Sequence, residues 1–275
     1  GIDDGIRNKT LNGKLKEDKK NGYIGKIDVG AGTDDFYNAQ AMINLFSNKE
    51  KFSAYGNLAN TGKVGLNFYD KQRSGTAGSV QFVSGGITIS GQNFNDIETN
   101  TGSYNGRGLP EARTSGIHYD TKWNNNKNVL NTNYKIGQLD LIGKTSSNTL
   151  NNLPSGTIYN NQEQTSDSKV FRQLLDFSLQ TALDSVSTLK ITADGVHKKV
   201  DANNSYLAST QRANGDYFNQ GTRQLGDAGT QRALNASAAY TRKLGKPRRS
   251  IAANFNLSNN TSELEGYLNA TNTFY

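Results

Sequence analysis

Val170-Phe171-Arg172-Gln173-Leu174-Leu175-Asp176-Phe177-Ser178-Leu179-Gln180-Thr181 alternates apolar and polar side chains at a period of two. Phe171, Leu175, Phe177 and Leu179 fall on one side, Arg172, Asp176, Ser178 and Gln180 mostly on the other, and Leu174 is the exception. Successive strand residues point to opposite faces, so the stretch predicts a β-strand with one oily and one wet side. The same alternation recurs in Tyr37-Asn38-Ala39-Gln40-Ala41-Met42-Ile43-Asn44-Leu45, where only Met42 interrupts the polar set, and in Ile251-Ala252-Ala253-Asn254-Phe255-Asn256-Leu257.

Two environments satisfy such strands: a soluble β-sandwich with an oily interior, and an outer-membrane barrel with an oily exterior and a polar lumen. The chain has 275 residues, 33% of them hydrophobic, and three prolines; its mean hydropathy is −0.72. Soluble domains usually carry about 45–50% apolar residues counting glycine, and the 29 glycines bring this chain to about 44%. A barrel needs only an apolar outer band about 25 Å tall, so low average hydropathy suits it. No run approaches the roughly 18 apolar residues of a membrane helix, which leaves closed strands as the only means of spanning. The start shows no basic segment followed by an apolar one, so the stretch is expected to be mature or internal.

Working outward from the decisive stretch, strands are expected from Tyr23, from Phe36 to Phe46, around Phe52 to Leu58, from Arg113 to Trp123, and around Leu130 to Ile136. Further strands are expected around Leu189 to Ala193, Leu234 to Tyr240 and Ile251 to Leu257, with a last one starting near Leu264. Residues 61–110, 146–168 and 201–229 are expected to be long polar loops, the first holding a small hairpin at residues 80–89. From the third strand onward, short turns then alternate with long loops, as in outer-membrane barrels with short periplasmic turns and long extracellular loops.

Catalysis finds little footing. His118 and His197 are the only histidines, both within strand patterns, and no cysteine exists to supply a thiolate site. Without a His-Glu-x-x-His helix or a cysteine cluster, no catalytic residue, metal centre or cofactor is expected. The run from Gly56 to Val64, with Gly62-Lys63, superficially resembles a phosphate loop. It is one residue too long, Val64 stands where a hydroxyl should meet magnesium, and the context is strand to loop. Asp3-Asp4 and Asp34-Asp35 could touch calcium, but paired acids in turns are ordinarily solvated. The formal charge of +7 is scattered among 24 acids with no basic aromatic stripe, so nucleic acid is not expected as a partner.

Binding has better candidates. Phe82, Tyr104 and Arg107 in the first long loop suit sugar stacking, peptide carboxylates or anionic ligands; the alternative is that they pack the loop onto itself. Asp120, Lys122, Arg172 and Asp176 fall on the polar faces, where they could contact a plug or simply line a wet lumen. Tyr119, Trp123, Tyr134 and Tyr240 fall on the apolar faces and are expected to serve as lipid-interface aromatics.

Several stretches, in order, resemble the outer-membrane β-barrel family of TonB-dependent-receptor-like proteins. They are Leu11-Asn12-Gly13-Lys14-Leu15-Lys16-Glu17-Asp18-Lys19-Lys20-Asn21-Gly22-Tyr23-Ile24-Gly25, Ala41-Met42-Ile43-Asn44, Gly108-Leu109-Pro110, Asn152-Leu153-Pro154-Ser155-Gly156, and Gly266-Tyr267 with Asn272-Thr273-Phe274-Tyr275. The resemblance implies an all-β antiparallel transmembrane barrel in the bacterial cell outer membrane, of which this chain is a part with about nine or ten strands. Residues 1–21 would be the end of a plug domain and its linker, and 22–275 the N-terminal part of a barrel of about 22 strands. Implied partners are outer-membrane lipid, the plug and remaining strands of the same protein, and an energising inner-membrane complex engaged through the missing N-terminal part. The implied function is energised uptake of a scarce ligand. A non-transporting structural or adhesive barrel and a soluble β-rich binding protein remain alternatives.

Overall fold

The computed structural model describes residues 21–76, 79–83, 86–90, 102–104, 106–154, 156–245 and 249–275. Its main feature is one nine-stranded antiparallel sheet in which neighbours in space are neighbours in the chain. The strands are β1 (Gly22–Ala31), β2 (Tyr37–Phe46), β3 (Glu50–Ala59), β6 (Leu109–Trp123), β7 (Asn128–Leu153), β8 (Gly156–Ala182), β9 (Ser187–Arg212), β10 (Tyr217–Lys243) and β11 (Ser250–Phe274). Between β3 and β6 lie a short helix, α1 (Phe68–Ser74), and a separate hairpin of β4 (Ser79–Val83) and β5 (Gly86–Ser90). The hairpin is the one expected within residues 80–89.

The sheet is open. Nine consecutive antiparallel strands leave β1 and β11 running the same way, and β1 has 10 residues against 25 in β11. The two edges therefore cannot close on each other by continuing the antiparallel pattern.

Two expected loops are strands. Residues 146–168 and 201–229 belong to ladders that run without interruption through β7–β8 and through β9–β10, where the register shifts only at Tyr217/Asn219. Their tips are short, β8 starting at Gly156 soon after β7 ends at Leu153, and β10 at Tyr217 soon after β9 ends at Arg212. The separate strand expected near Leu264 is likewise the continuation of β11. Alternation fades in these stretches because neither face has apolar neighbours to bury, yet Thr, Ser, Asn and Tyr still pair their backbones in the ladder. At about 3.3 Å per residue the 26 residues of β7 reach about 85 Å.

At the other end the connections are tight. The β6–β7 turn places Asn124, Asn125 and Asn126 at φ of 53°, 54° and 63°, a left-handed conformation that asparagine tolerates better than most residues. In the β8–β9 turn, the Asp184 carboxylate accepts from the backbone N–H groups of Val186 and Ser187, each at 2.7 Å.

Residues 61–76 fold back across one face of the sheet, which defines a covered face and an open face. In β2, the covered face carries Asn38, Gln40, Met42 and Asn44, all buried, while Ala41, Ile43 and Leu45 are exposed on the other. Ile43 is 42% exposed and its neighbour Asn44 only 2%. β3 repeats this, with Ser53, Tyr55 and Asn57 covered and Phe52 and Leu58 exposed. Cross-strand partners share a face, so the register extends the two faces across the sheet, while burial of the covered face is concentrated under residues 61–76 and β11 is exposed on both faces. Ile43, Ala54, Ile117, Tyr134, Leu175 and Gly195 form one row of the open face, and Phe255 stands opposite Ala238 in another.

Candidate functional site

The covered face is built by alternation, and the segment on it is held by a graded set of contacts. One row reads Asn44, Ser53, His118, Asn133, Asp176, Asp194, Asn235, Ser258 across eight strands. His118 is 3% exposed and its Nδ1 lies 2.8 Å from Asn133 Oδ1. Further along, Asn235 donates to Asp194 at 2.8 Å and Ser258 to Asn235 at 2.8 Å. Both amide atoms of Asn44 and the Ser53 hydroxyl are buried without a hydrogen-bond partner among the described residues.

Charges on β1 anchor the in-folded segment. Lys26 Nζ meets Asp70 Oδ2 at 2.5 Å, and Lys63 Nζ meets Asp28 Oδ2 at 2.6 Å. The backbone of the segment is read by amides: Gln40 donates to the carbonyl of Gly65, and Asn57 to that of Lys63, at 3.0 and 3.2 Å. Thr114 donates to the carbonyl of Val64 at 3.0 Å. Asn67 caps α1 by accepting from the Asp70 N–H at 2.9 Å, and Gly75 ends it at φ 77°. A side chain at Gly75 would place its Cβ 2.6 Å from His118 Nε2, so the helix end fits against the imidazole only as glycine.

Two small apolar clusters seal the segment. Leu66 packs with Met42 and Tyr55, while Val64 packs with Ala112, Leu139 and Val170, joined by Tyr104. Met42, the interruption in the polar set of β2, is thus the residue over which Leu66 sits. Leu174 lies on the covered face between Lys135 and Val196.

The expected site residues do not form one cluster. Tyr104 donates its hydroxyl to the Arg107 carbonyl at 2.8 Å and its N–H to the Gly62 carbonyl at 2.7 Å, so this pair packs the connection onto itself. Phe82 belongs to β4, and its side chain lies outside the described residues, as do Asp3 and Asp4. Asp34 and Asp35 form a tight turn at φ of 55° and 59°. Asp120, Lys122, Arg172 and Asp176 all occupy covered-face positions. Asp120 accepts from Asn131 at 3.3 Å, Arg172 is buried opposite Gly137, Asp176 faces Asp194, and Lys122 is exposed at the strand end. Among the aromatics, Trp123 and Tyr240 stand at strand ends, Tyr240 donating to Ser187 at 3.3 Å, while Tyr119 and Tyr134 lie further along their strands. His197 is on the open face, edge-on to Phe171 with ring centres 6.3 Å apart.

Of the residues that hold the in-folded segment, Lys26, Asp28, Gln40, Asn57 and Asp70 were not singled out as site residues in the sequence, and Lys63 entered only through the rejected phosphate-loop reading. For Lys26, Asp28, Gln40 and Asn57 the only signal was polarity at alternate strand positions, shared by many residues that hold nothing, and Lys63 and Asp70 lie outside the strands altogether. On the open face, small side chains at Ala39, Ala41, Gly56 and Ser115 leave an apolar groove of about 570 Å³ between Ile27 and Ile136. Among the described residues no group of three or more His, Cys, Asp or Glu could hold a metal ion.

No protein-family model matches the chain, and no curated protein matches it. Among solved structures it is similar to OmpT, an outer membrane protein of Vibrio cholerae folded in vitro. The identity is 8%, the match covers 90% of this chain and 95% of that one, and the TM-score is 0.13. A score of that size carries no argument about fold or function.

Proposed function

We propose that this chain is part of a bacterial outer-membrane β-barrel, with its open face against lipid and its covered face around a wet lumen narrowed by residues 61–76. The observation that carries this is the inversion itself: amides and hydroxyls are buried while aliphatic and aromatic side chains face outward. A soluble fold would expose Asn44 and bury Ile43, because transfer of apolar surface out of water drives folding there. In a bilayer the oily face is solvated by acyl chains, and the backbone is satisfied by the ladder. The polar ladders beyond the apolar rows suit a wall standing in water. As the finer reading, the barrel is a receptor of the TonB-dependent type that binds and imports a scarce ligand. The ordered motifs from Leu11 to Tyr275 support it, as does a lumen partly filled by its own chain.

These 275 residues contain no cysteine, so each one introduced here is compared with the parent protein carried through the same labelling. Single cysteines at Ile43, Phe177 and Leu257 of the complete protein, in outer membranes of the source cells, should resist a charged maleimide, whereas cysteines at Asn235 and Ser258 should react. Rapid labelling of the first set, or recovery of the protein in the soluble fraction, would overturn the membrane assignment. Energised uptake is tested separately: accumulation of ligand that survives collapse of the proton gradient would remove the TonB-type reading while leaving the barrel.

A further inference from the structure

Beyond the apolar rows, the covered side of β7 to β11 carries a chemistry unlike its reverse. Four successive cross-strand rows run from Gly143, Thr145, Ser147 and Thr149 on β7 to Leu268, Ala270, Asn272 and Phe274 on β11. Within them there is no Asp or Glu, and the polar groups are hydroxyls, amides and one guanidinium, that of Arg223. The next acid on this face of β10 is Asp227, four residues along. The reverse face of the same region carries charges of both signs, including Lys144 and Glu163, 3.6 Å apart.

At the centre of the patch Arg223 lies over the ring of Tyr206, its Cζ 4.1 Å from the ring centre. Gln164 fixes that ring by donating to its hydroxyl at 3.1 Å, and it also reaches Asn204 at 3.4 Å. Nearer the tip, Arg212 lies over Phe218 at 5.2 Å; by strand parity its side chain belongs to the same face. No ion pair joins either arginine to a carboxylate among the described residues. Six residues along β9 separate the levels of the two stacks, roughly 20 Å. Between them stand the small residues Ala208 and Gly221, with the Asn272 amide leaning over the glycine.

We propose that this wall binds a carboxylated saccharide, with Arg223 and Arg212 each taking a carboxylate and the amides between them taking ring hydroxyls. The assignment rests on the barrel reading and names its ligand class. A guanidinium stacked on an aromatic ring is pre-organised, so it loses little freedom on binding, and its fork matches a carboxylate. Around Arg223 the four acid-free rows leave the positive potential uncancelled, whereas Arg212 shares its turn with Asp216, whose carboxylate accepts from Asn214 at 2.6 Å. Amides offer donors and acceptors together, which suits hydroxyls that are both.

The test uses the complete protein purified in detergent, with hexagalacturonate and its neutral methyl ester titrated by calorimetry. The acid form should bind, the ester at least about tenfold more weakly, and Arg223→Gln should weaken the acid form by about ten- to a hundredfold, to the level of the ester. Arg212→Gln should act in the same direction, and Lys144→Gln on the reverse face should not. Equal binding of acid and ester, no binding of either, indifference to both arginine substitutions, or equal competition by an oligoglutamate peptide would each overturn the proposal. A mobility shift on boiling, read on every sample, keeps the two readings apart. Its loss in the unmodified protein sinks the barrel, whereas its presence without acid-selective binding sinks only the saccharide.

Discussion

Phe255 and Asn256 are adjacent on β11, at one depth and on opposite faces, and replacing each in turn by arginine separates the two environments open to this sheet. Phe255 is 67% exposed and pairs with Ala238 in the middle of the apolar rows. Were the open face in water, Phe255→Arg would be a surface change worth within about 0.5 kcal/mol. Against lipid, an arginine near the bilayer midplane costs about 2–4 kcal/mol, a shift of roughly 30- to 1,000-fold in the folding equilibrium. Asn256 sits on the covered face beside Ser237, where a wet lumen solvates an arginine, so Asn256→Arg should cost less than about 1 kcal/mol in either case. The assay is urea-induced unfolding of the complete protein in detergent or liposomes, followed by the gel-mobility difference between folded and unfolded forms. Equal midpoints for the two variants would refute the reasoning, and a larger loss for Asn256→Arg would invert it.

Three further outcomes follow from the in-folded segment and the turns. Gly75→Ala combines a positive φ with a contact on His118, so it should release residues 61–76 by about 1 kcal/mol or more. Faster amide exchange at Val64 and Tyr104 would report it, with His118→Ala restoring only the contact part. Leu66→Ala empties the space between Met42 and Tyr55 and should cost about 2–5 kcal/mol locally, seen as proteolysis within the segment while the sheet ladders stay protected. Asp184 is held below its ordinary pKa mainly by the Val186 N–H, with further help from the Ser187 N–H. A depressed carboxylate stabilises the folded turn above its unfolded value of about 3.9. That contribution disappears as pH falls through the lower folded value. Exchange at Val186 should therefore rise only in strong acid, and Asp184→Ala should remove the dependence.

The strand pattern of the apolar rows was legible because one face must be oily wherever it is not wet, and that constraint writes itself as alternation. Even its exceptions had causes: Met42 packs against Leu66, which only the in-folded segment could reveal. Residues 146–168 and 201–229 read as loops because alternation is the signature of two unlike environments, and a wall polar on both sides has none to record. Backbone pairing there leaves its mark only in Thr, Tyr and Asn content, which loops share. The stack of Arg223 on Tyr206 was invisible for a related reason, since it depends on a register linking residues 17 apart. Tyr104 and Arg107 were recognisable as ligand-binding types, but the hydrogen bond that binds the loop to itself was a matter of geometry.

The order of the strands has a consequence for how such a sheet comes into being. Each strand of the main sheet pairs with the strand before and after it, and only the excursion carrying α1 and the β4–β5 hairpin interrupts the sequence. No strand waits for a distant partner, so each hairpin can close from its own turn outward, as β7 and β8 can from Leu153 and Gly156. Topologies made of neighbouring pairings carry the smallest loop-closure cost. A chain delivered end first can therefore be laid down one hairpin at a time, each finished ladder offering its free edge as the template for the next.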